Sequence, residues 1–308
     1  MSNKLHTFIH FISGPTAVGK SELAIKLAKK INGVIINGDS MQVYLNLHVL
    51  TARPSKEDEN LITHKLYGYI DGSVRHNVAS WCKDTLTLIN ENKKNNKPSI
   101  IVGGSGMYIN TLINGLIDIP TIPEEYKILS QNLLNEIGNK KFIEEIKKFD
   151  PKALIFIATN DSIRLRRIWE VNKFTGTSFS EWKLKPNRRF IKDENFTIFL
   201  IQPDRQKIYE NVNARFHKML KNGAIEEVQK LLSLNLDTTL PIMRAHGVPE
   251  ISNFLNNITS MEETISRGQQ VTRNYVKRQL TWWRSSNLRI NHVFDQFPNK
   301  IDENMIKI

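Results

Sequence analysis

Apolar positions along the first hundred residues alternate between short unbroken runs and a helical spacing. Residues 7–12 are apolar and β-favouring, with His6 and His10 in and beside the run, and a glycine-containing turn follows. Over residues 22–31, Leu23, Ile25, Leu27, Ala28 and Ile31 are apolar with lysines between them, which predicts a helix. Asn32 and Gly33 supply a stop, and residues 34–37 read as a second buried strand. A further helix is predicted over 81–92, Pro98 punctuates, and 99–102 forms a third short strand ending in Gly103 and Gly104. Such alternation predicts an α/β fold, a parallel sheet flanked by helices.

The pattern changes at Pro120. Pro120 and Pro123 break the chain, and a lysine- and glutamate-rich helical stretch runs over 124–149. Asn160, Asp161 and Ser162 are N-cap residues for a second helix that continues through Glu170, and a polar stretch dotted with aromatics reaches Arg189. Strand character returns only at 196–201, and the chain is helix-rich from Asp204 onward. Residues 120–195 therefore read as a mainly helical insertion domain, with 1–119 and 196–308 forming the core.

Composition adds compartment and partner. The 308 residues are 40% hydrophobic and 24% charged, the range of a folded soluble protein. Lys and Arg number 43 against 31 Asp and Glu, a net charge of +12, which points to nucleic acid, another polyphosphate or an anionic membrane surface as partner. One cysteine, Cys82, makes neither an internal disulfide nor a cysteine-rich zinc site, and the histidines lack metalloprotease spacing. No apolar run reaches the roughly 20 residues of a membrane span. A cytoplasmic monomer is the expectation.

The strongest chemical signal is Gly14-Pro15-Thr16-Ala17-Val18-Gly19-Lys20-Ser21, which matches the P-loop pattern GxxxxGK followed by Ser or Thr. It lies between a predicted strand and a predicted helix, where backbone N–H groups curl around phosphate oxygens. Lys20 would reach the outer phosphate and the Ser21 hydroxyl would ligate Mg²⁺. Asp39, directly after the second strand, falls at the sheet edge that faces the ligand in such folds. It reads equally as a general base, a water-mediated partner of Mg²⁺, or, with Ser40, a helix cap. Thr51-Ala52-Arg53-Pro54-Ser55 alone is an ordinary loop. The Gly103-Gly104-Ser105-Gly106 turn permits close approach of a ligand, or simply tight packing. On a helical wheel over 273–284, Arg273, Lys277, Thr281 and Arg284 share one face, Tyr275 and Trp282 another, and Val276, Leu280 and Trp283 a third. The first face suits nucleic-acid phosphates, or it is a solvated basic face.

In their order and wording, SGPTAVGKSELA, INGDSMQVY with TARPS, IVGGSGMYINTLINGL, NDSIRLRRIWEVNKFTG, QPDRQKIYENVNARFHKMLKNGAIEEV and TRNYVKRQLTWWR resemble the bacterial tRNA dimethylallyltransferases, also called tRNA isopentenyltransferases. The resemblance spans nearly the whole chain. Ser105 stands where that family often has threonine. In the stretch Arg244-Ala245-His246-Gly247-Val248-Pro249-Glu250, Pro249 removes a donor and a basic side chain from the family's usual ending.

The resemblance implies transfer of a dimethylallyl group from dimethylallyl diphosphate to N6 of the adenine at tRNA position 37. Gly14 to Ser21 would hold the diphosphate rather than a nucleoside triphosphate, with Mg²⁺ on Ser21. Thr16, Lys20 and Arg215 would act at the leaving group, and Asp39 would accept the amine proton. Ser40, Met41 and Gln42 would contact the base, and Thr16 and Ser105 would line the passage. Ile163, Arg164, Leu165, Arg166 and Arg167 of the insertion, together with Arg244, Arg273, Lys277, Arg278, Gln279 and Arg284, would grip the anticodon stem-loop, whose target base must leave its stack. A small-molecule kinase shares the phosphate loop but has no use for the basic aromatic helix. An RNA-stimulated NTPase would need an apolar run ending in an acid, and the sequence offers none.

Overall fold

The structure, a computed structural model, describes residues 8–187, 190–191, 196–301 and 306. His6, Thr7 and Arg189 of the expectations above lie outside them, as do residues 192–195. In chain order the elements are β1 (Ile9–Ser13), α1 (Lys20–Ile31), β2 (Val34–Asn37), α2 (Lys56–Leu61), β3 (His64–Lys65), α3 (Val78–Lys94), β4 (Ser99–Gly103) and α4 (Gly106–Asn114). There follow α5 (Glu124–Lys147), α6 (Ser162–Thr175), α7 (Phe179–Leu184), β5 (Phe196–Ile201), α8 (Arg205–Lys221), α9 (Ala224–Ser233), α10 (Val248–Leu255), α11 (Met261–Ser285) and β6 (His292–Phe294).

Among the described residues the strands form one parallel sheet in the order β3-β2-β4-β1-β5-β6. Every residue of β1, β2 and β4 is buried, which is why these segments read as continuous apolar runs instead of alternating ones. Their register brings their ends level. Ser13 pairs with Gly103 on one side and Leu200 on the other, and Asn37 pairs with Val102. The Ser13 hydroxyl donates to the Gly103 carbonyl at 2.8 Å, and the Trp81 indole N–H donates to the Asn37 carbonyl at 2.7 Å. The phosphate loop, the segment carrying Asp39 and the glycine turn after β4 therefore leave the sheet side by side at its C-terminal edge.

Helix α1 buries Leu23, Ala24, Leu27 and Ala28 against this sheet. Helix α11 begins at Met261, well before the basic face, because Ser260 and Glu263 form a reciprocal capping box there. It buries Val276, Leu280 and Trp283, the face the helical wheel assigned to anchoring.

The chain divides at 114–190 into a second compact unit. Its bounds differ from the expected 120–195. Pro120 and Pro123 mark the approach to α5, whose N-cap is Pro123, whereas the chain leaves the core earlier, at the end of α4. Ile191 belongs to the core unit. The helical stretch expected over 124–149 is broken at Gly138, where a φ of 71° interrupts α5. This unit has its own core of Leu134, Phe142, Ile146, Leu165, Ile168 and Trp169, and its buried Glu170 accepts a 2.6 Å hydrogen bond from Ser130. Among the described residues no helix is long and apolar enough to cross a membrane.

Candidate active site

The phosphate loop leaves β1 at Gly14 and enters α1 at Lys20. Ala17 and Gly19 both take left-handed conformations, with φ of 64° and 86°. At the N-cap, Gly19 offers no side-chain acceptor, so the first-turn N–H groups of α1 are left for an anion. The Lys20 ammonium donates to the Pro15 carbonyl at 2.7 Å, folding back over the loop. Burial lowers its pKa to about 8; the Asp39 carboxylate opposes this and the Arg215 cation adds to it. Arg215 arrives from α8 and donates to Thr16 Oγ1 at 2.6 Å. Burial lowers its pKa too, against the attraction of Asp39, and it remains a cation at neutral pH.

Asp39 is fixed by its own turn. Its N–H donates to Asn37 Oδ1 at 2.8 Å, and its Oδ1 accepts the Met41 N–H at 2.9 Å. The residues after it form turns and no helix, so the capping role is not realised. Asn37 is buried in turn and donates to the Asp39 and Leu66 carbonyls.

The glycine turn after β4 owes its composition to packing. A Cβ on Gly104 would lie 2.2 Å from the Gln279 amide nitrogen, and one on Gly106 would lie 2.1 Å from the Trp282 ring. Only glycine lets α11 come this close. Gln279 uses the proximity: its Oε1 accepts the Thr16 N–H and its Nε2 donates to the Gly104 carbonyl, both at 2.9 Å.

Two cavities, each of about 390 Å³, meet along a shared wall of Thr16, Asp39, Thr51 and Arg215. One is lined by Ala17, Gly19, Lys20 and Ser21 and suits a phosphorylated group. The other is lined by Leu50, Val212, Phe216, Met219 and Tyr275 together with Arg75, Arg244 and His246, and suits a flat group with polar edges. A carboxylate and a guanidinium thus stand where an acceptor from one chamber meets a donor from the other.

A family model described as IPP transferase matches residues 42–286. This chain is 42% identical to a tRNA dimethylallyltransferase of Ehrlichia ruminantium over 290 residues, 94% of this chain and 92% of that protein. It belongs to the IPP transferase family. Another relative, the tRNA dimethylallyltransferase of Pelagibacter ubique, is 38% identical over 97% of both chains. The crystal structure of the full-length tRNA isopentenylpyrophosphate transferase of Bacillus halodurans matches with a TM-score of 0.66 at 30% identity, covering 94% of this chain and 89% of that one. That of a eukaryotic dimethylallyltransferase acting on tRNA matches with a TM-score of 0.77 at 25% identity, covering 89% and 69%.

Within this IPP transferase, Thr16, Lys20, Ser21, Asp39 and Arg215 converge on the phosphate cavity, and Ser40, Met41 and Arg244 line the other. Val18 is fully buried, so it anchors the loop with its side chain and offers a ligand only its backbone. Gln42, expected at the base, spends its amide on the Thr51 and Ala52 carbonyls at 2.8 and 3.0 Å. Ser105 lies beside Tyr275; burial raises the pKa of that phenol, with hydrogen bonding from Ser105 and Gln279 in opposition.

Of the residues expected at the tRNA, three are engaged within the protein and the others are exposed or half-buried. Leu165 is fully buried in the core of the second unit, because it falls on the apolar side of α6. Gln279 is buried between two loops, as above. Arg273 is half-buried and donates to Asn213 and to Gln270 at 2.7 and 2.6 Å, so it serves the α8–α11 contact. Lys277, Arg278 and Arg284 are exposed. On α6, Ile163 and Arg164 are exposed, with Arg164 paired to Asp161 at 2.6 Å. Arg166 donates to Gln131, and burial lowers the pKa of Arg167 against the pull of Glu170. Pro249 lies in the first turn of α10, where an N–H has no intrahelical partner, so the helix loses nothing by it.

Sequence reading missed Arg75, His246, Tyr275 and Phe216 in the second cavity. His246 packs 4.8 Å from the Tyr275 ring; burial and the Arg278 charge lower its pKa, so it is neutral at pH 7. Phe216 and Tyr275 lie in the matching segments ARFHKML and TRNYVKRQ, and His246 in the 244–250 stretch that departs from the family pattern, while nothing in the sequence singles out Arg75.

Proposed function

We propose that this protein transfers a dimethylallyl group from dimethylallyl diphosphate to N6 of adenine 37 in tRNA, giving N6-(dimethylallyl)adenosine and diphosphate, and that it acts as a cytoplasmic monomer. The observation that carries the reading is the meeting, at Asp39 and Arg215, of a chamber lined by the P-loop residues Lys20 and Ser21 and a second chamber in which apolar side chains are mixed with Arg75, Arg244 and His246. The N6 lone pair attacks the allylic carbon, the C–O bond breaks, and its electron pair leaves on the diphosphate oxygen. Lys20, Arg215 and the loop N–H groups stabilise that developing charge. Asp39 takes the N6 proton.

Mg²⁺ fits as a companion of the diphosphate. Ser21 and Asp39 offer hard oxygen donors to the phosphate chamber, and among the described residues no cluster of three or more metal-binding side chains could hold an ion by itself. When bound, Mg²⁺ would neutralise phosphate charge. The exposed cations Lys277, Arg278 and Arg284, with Arg244 at the second chamber, supply positive charge for the RNA backbone, in keeping with a net charge of +12. Ile163, Arg164, Arg166 and Arg167 would provide a second contact, with the anticodon stem. Mass analysis of bulk tRNA from cells with and without the gene tests the reading. Loss of dimethylallyladenosine, or of species built on it, is expected; unchanged tRNA would contradict it.

A further inference from the structure

The 48–51 turn, which contributes Thr51 to the wall shared by the two chambers, has an unusual support. The N–H groups of His48, Val49 and Leu50 all donate to the carboxylate of Glu227, the first two to Oε1 at 2.5 and 2.8 Å and the third to Oε2 at 2.9 Å. Glu227 comes from α9, remote in sequence and outside both cavities. From the other side the Gln42 amide holds the Thr51 and Ala52 carbonyls. Arg53 follows the turn and donates to the Tyr44 carbonyl at 3.1 Å; burial lowers its pKa, against the charges of Glu59 and Glu227. What this assembly holds in place is Leu50, which lines the second chamber, and Thr51, which lines both chambers along with Asp39 and Arg215.

We infer that Glu227 is a positioning residue for the transfer reaction: its carboxylate fixes the 48–51 turn so that Thr51 and Leu50 hold donor and acceptor in line at Asp39. This role rests on the proposed function above. Three N–H donors converging on one carboxylate are a strong, charge-assisted arrangement. Because reacting atoms must be held to within a fraction of an ångström, a loosened wall lowers turnover more than it lowers binding.

The test is a graded series. Glu227→Gln keeps the size but turns an amide NH₂ towards one of the three donors, and Glu227→Ala releases all of them. Measured at saturating tRNA and dimethylallyl diphosphate, kcat per folded molecule should fall roughly 3- to 10-fold for Gln and roughly 10²-fold for Ala. The KM values and the affinity for tRNA should move less than about threefold. Amide hydrogen exchange should speed up at Val49 and Leu50 but not in β4. On a Thr51→Val background the further loss from Glu227→Gln should shrink, since both act through one residue. Unchanged kcat per folded molecule, or losses that simply add to those of Thr51→Val, would overturn the role and leave the transfer reaction standing. A wild-type protein that transfers no prenyl group in the same assay would overturn the reaction itself and the role with it.

Discussion

Gln279 accepts the backbone N–H of Thr16 at 2.9 Å across 263 residues of sequence, so the last long helix of the core is stitched to the phosphate loop. The other end of the same amide donates to the Gly104 carbonyl. Replacing Gln279 with Glu keeps the acceptor, loses the donor and adds a negative charge beside the diphosphate site. Donor affinity should fall at least tenfold with tRNA affinity nearly intact, measured by calorimetry on each substrate separately. Gln279→Leu leaves two backbone groups without partners and should cost about 2 kcal/mol of stability in denaturant titration.

Lys20 gives the donor site a pH dependence whose sign follows from its lowered pKa. In the free protein Lys20 loses its proton above about pH 8, whereas the bound diphosphate holds the proton on. Binding therefore takes up a proton above that pH, and affinity for dimethylallyl diphosphate should weaken by up to about tenfold per pH unit while staying level between pH 7 and 8. Calorimetry in buffers of different ionisation enthalpy reads the uptake. Lys20→Ala should abolish it.

Asp39→Asn preserves volume and the bond to the Met41 N–H while removing the base. Turnover should drop roughly 10²- to 10⁴-fold with both substrates still bound. A variant near full rate would reduce Asp39 to a turn residue.

The basic face of α11 divides in two. Arg273 is committed to Asn213 and Gln270, whereas Lys277 and Arg284 are exposed. Lys277→Gln or Arg284→Gln should each reduce the slope of log affinity for tRNA against log salt by about one unit or less. Arg273→Gln should leave that slope nearly unchanged and lower the melting temperature instead.

The sequence made the sheet legible because each buried strand is an unbroken apolar run closed by glycine or a helix cap; residues 34–37 and 196–201 are found where they were expected. The short strands His64–Lys65 and His292–Phe294 escaped notice, since two or three residues carry no periodicity and their pairing is set by the neighbouring strand. The P-loop residues Gly14 to Ser21 are contiguous, so a local pattern reveals them. The second chamber is assembled from Leu50, Phe216, His246 and Tyr275, which share no local pattern and come from the 48–51 turn, α8, the loop before α10 and α11. Gln279 and Leu165 misled for the reverse reason: a polar residue on a basic helix and an apolar one in an arginine run each turn inward.

In the proposed reaction the phosphate loop holds an allylic diphosphate whose carbon, and not its phosphorus, is attacked. The direct measurement is incubation of the purified protein with dimethylallyl diphosphate, Mg²⁺ and unmodified tRNA, with mass analysis of the RNA and assay of diphosphate. One dimethylallyl group should appear on the tRNA for each diphosphate released, without ATP, and a tRNA with guanine at position 37 should accept none because it lacks the exocyclic N6 amine. Phosphorylation of a small acceptor at the expense of ATP, with no prenyl group on tRNA, would contradict the account.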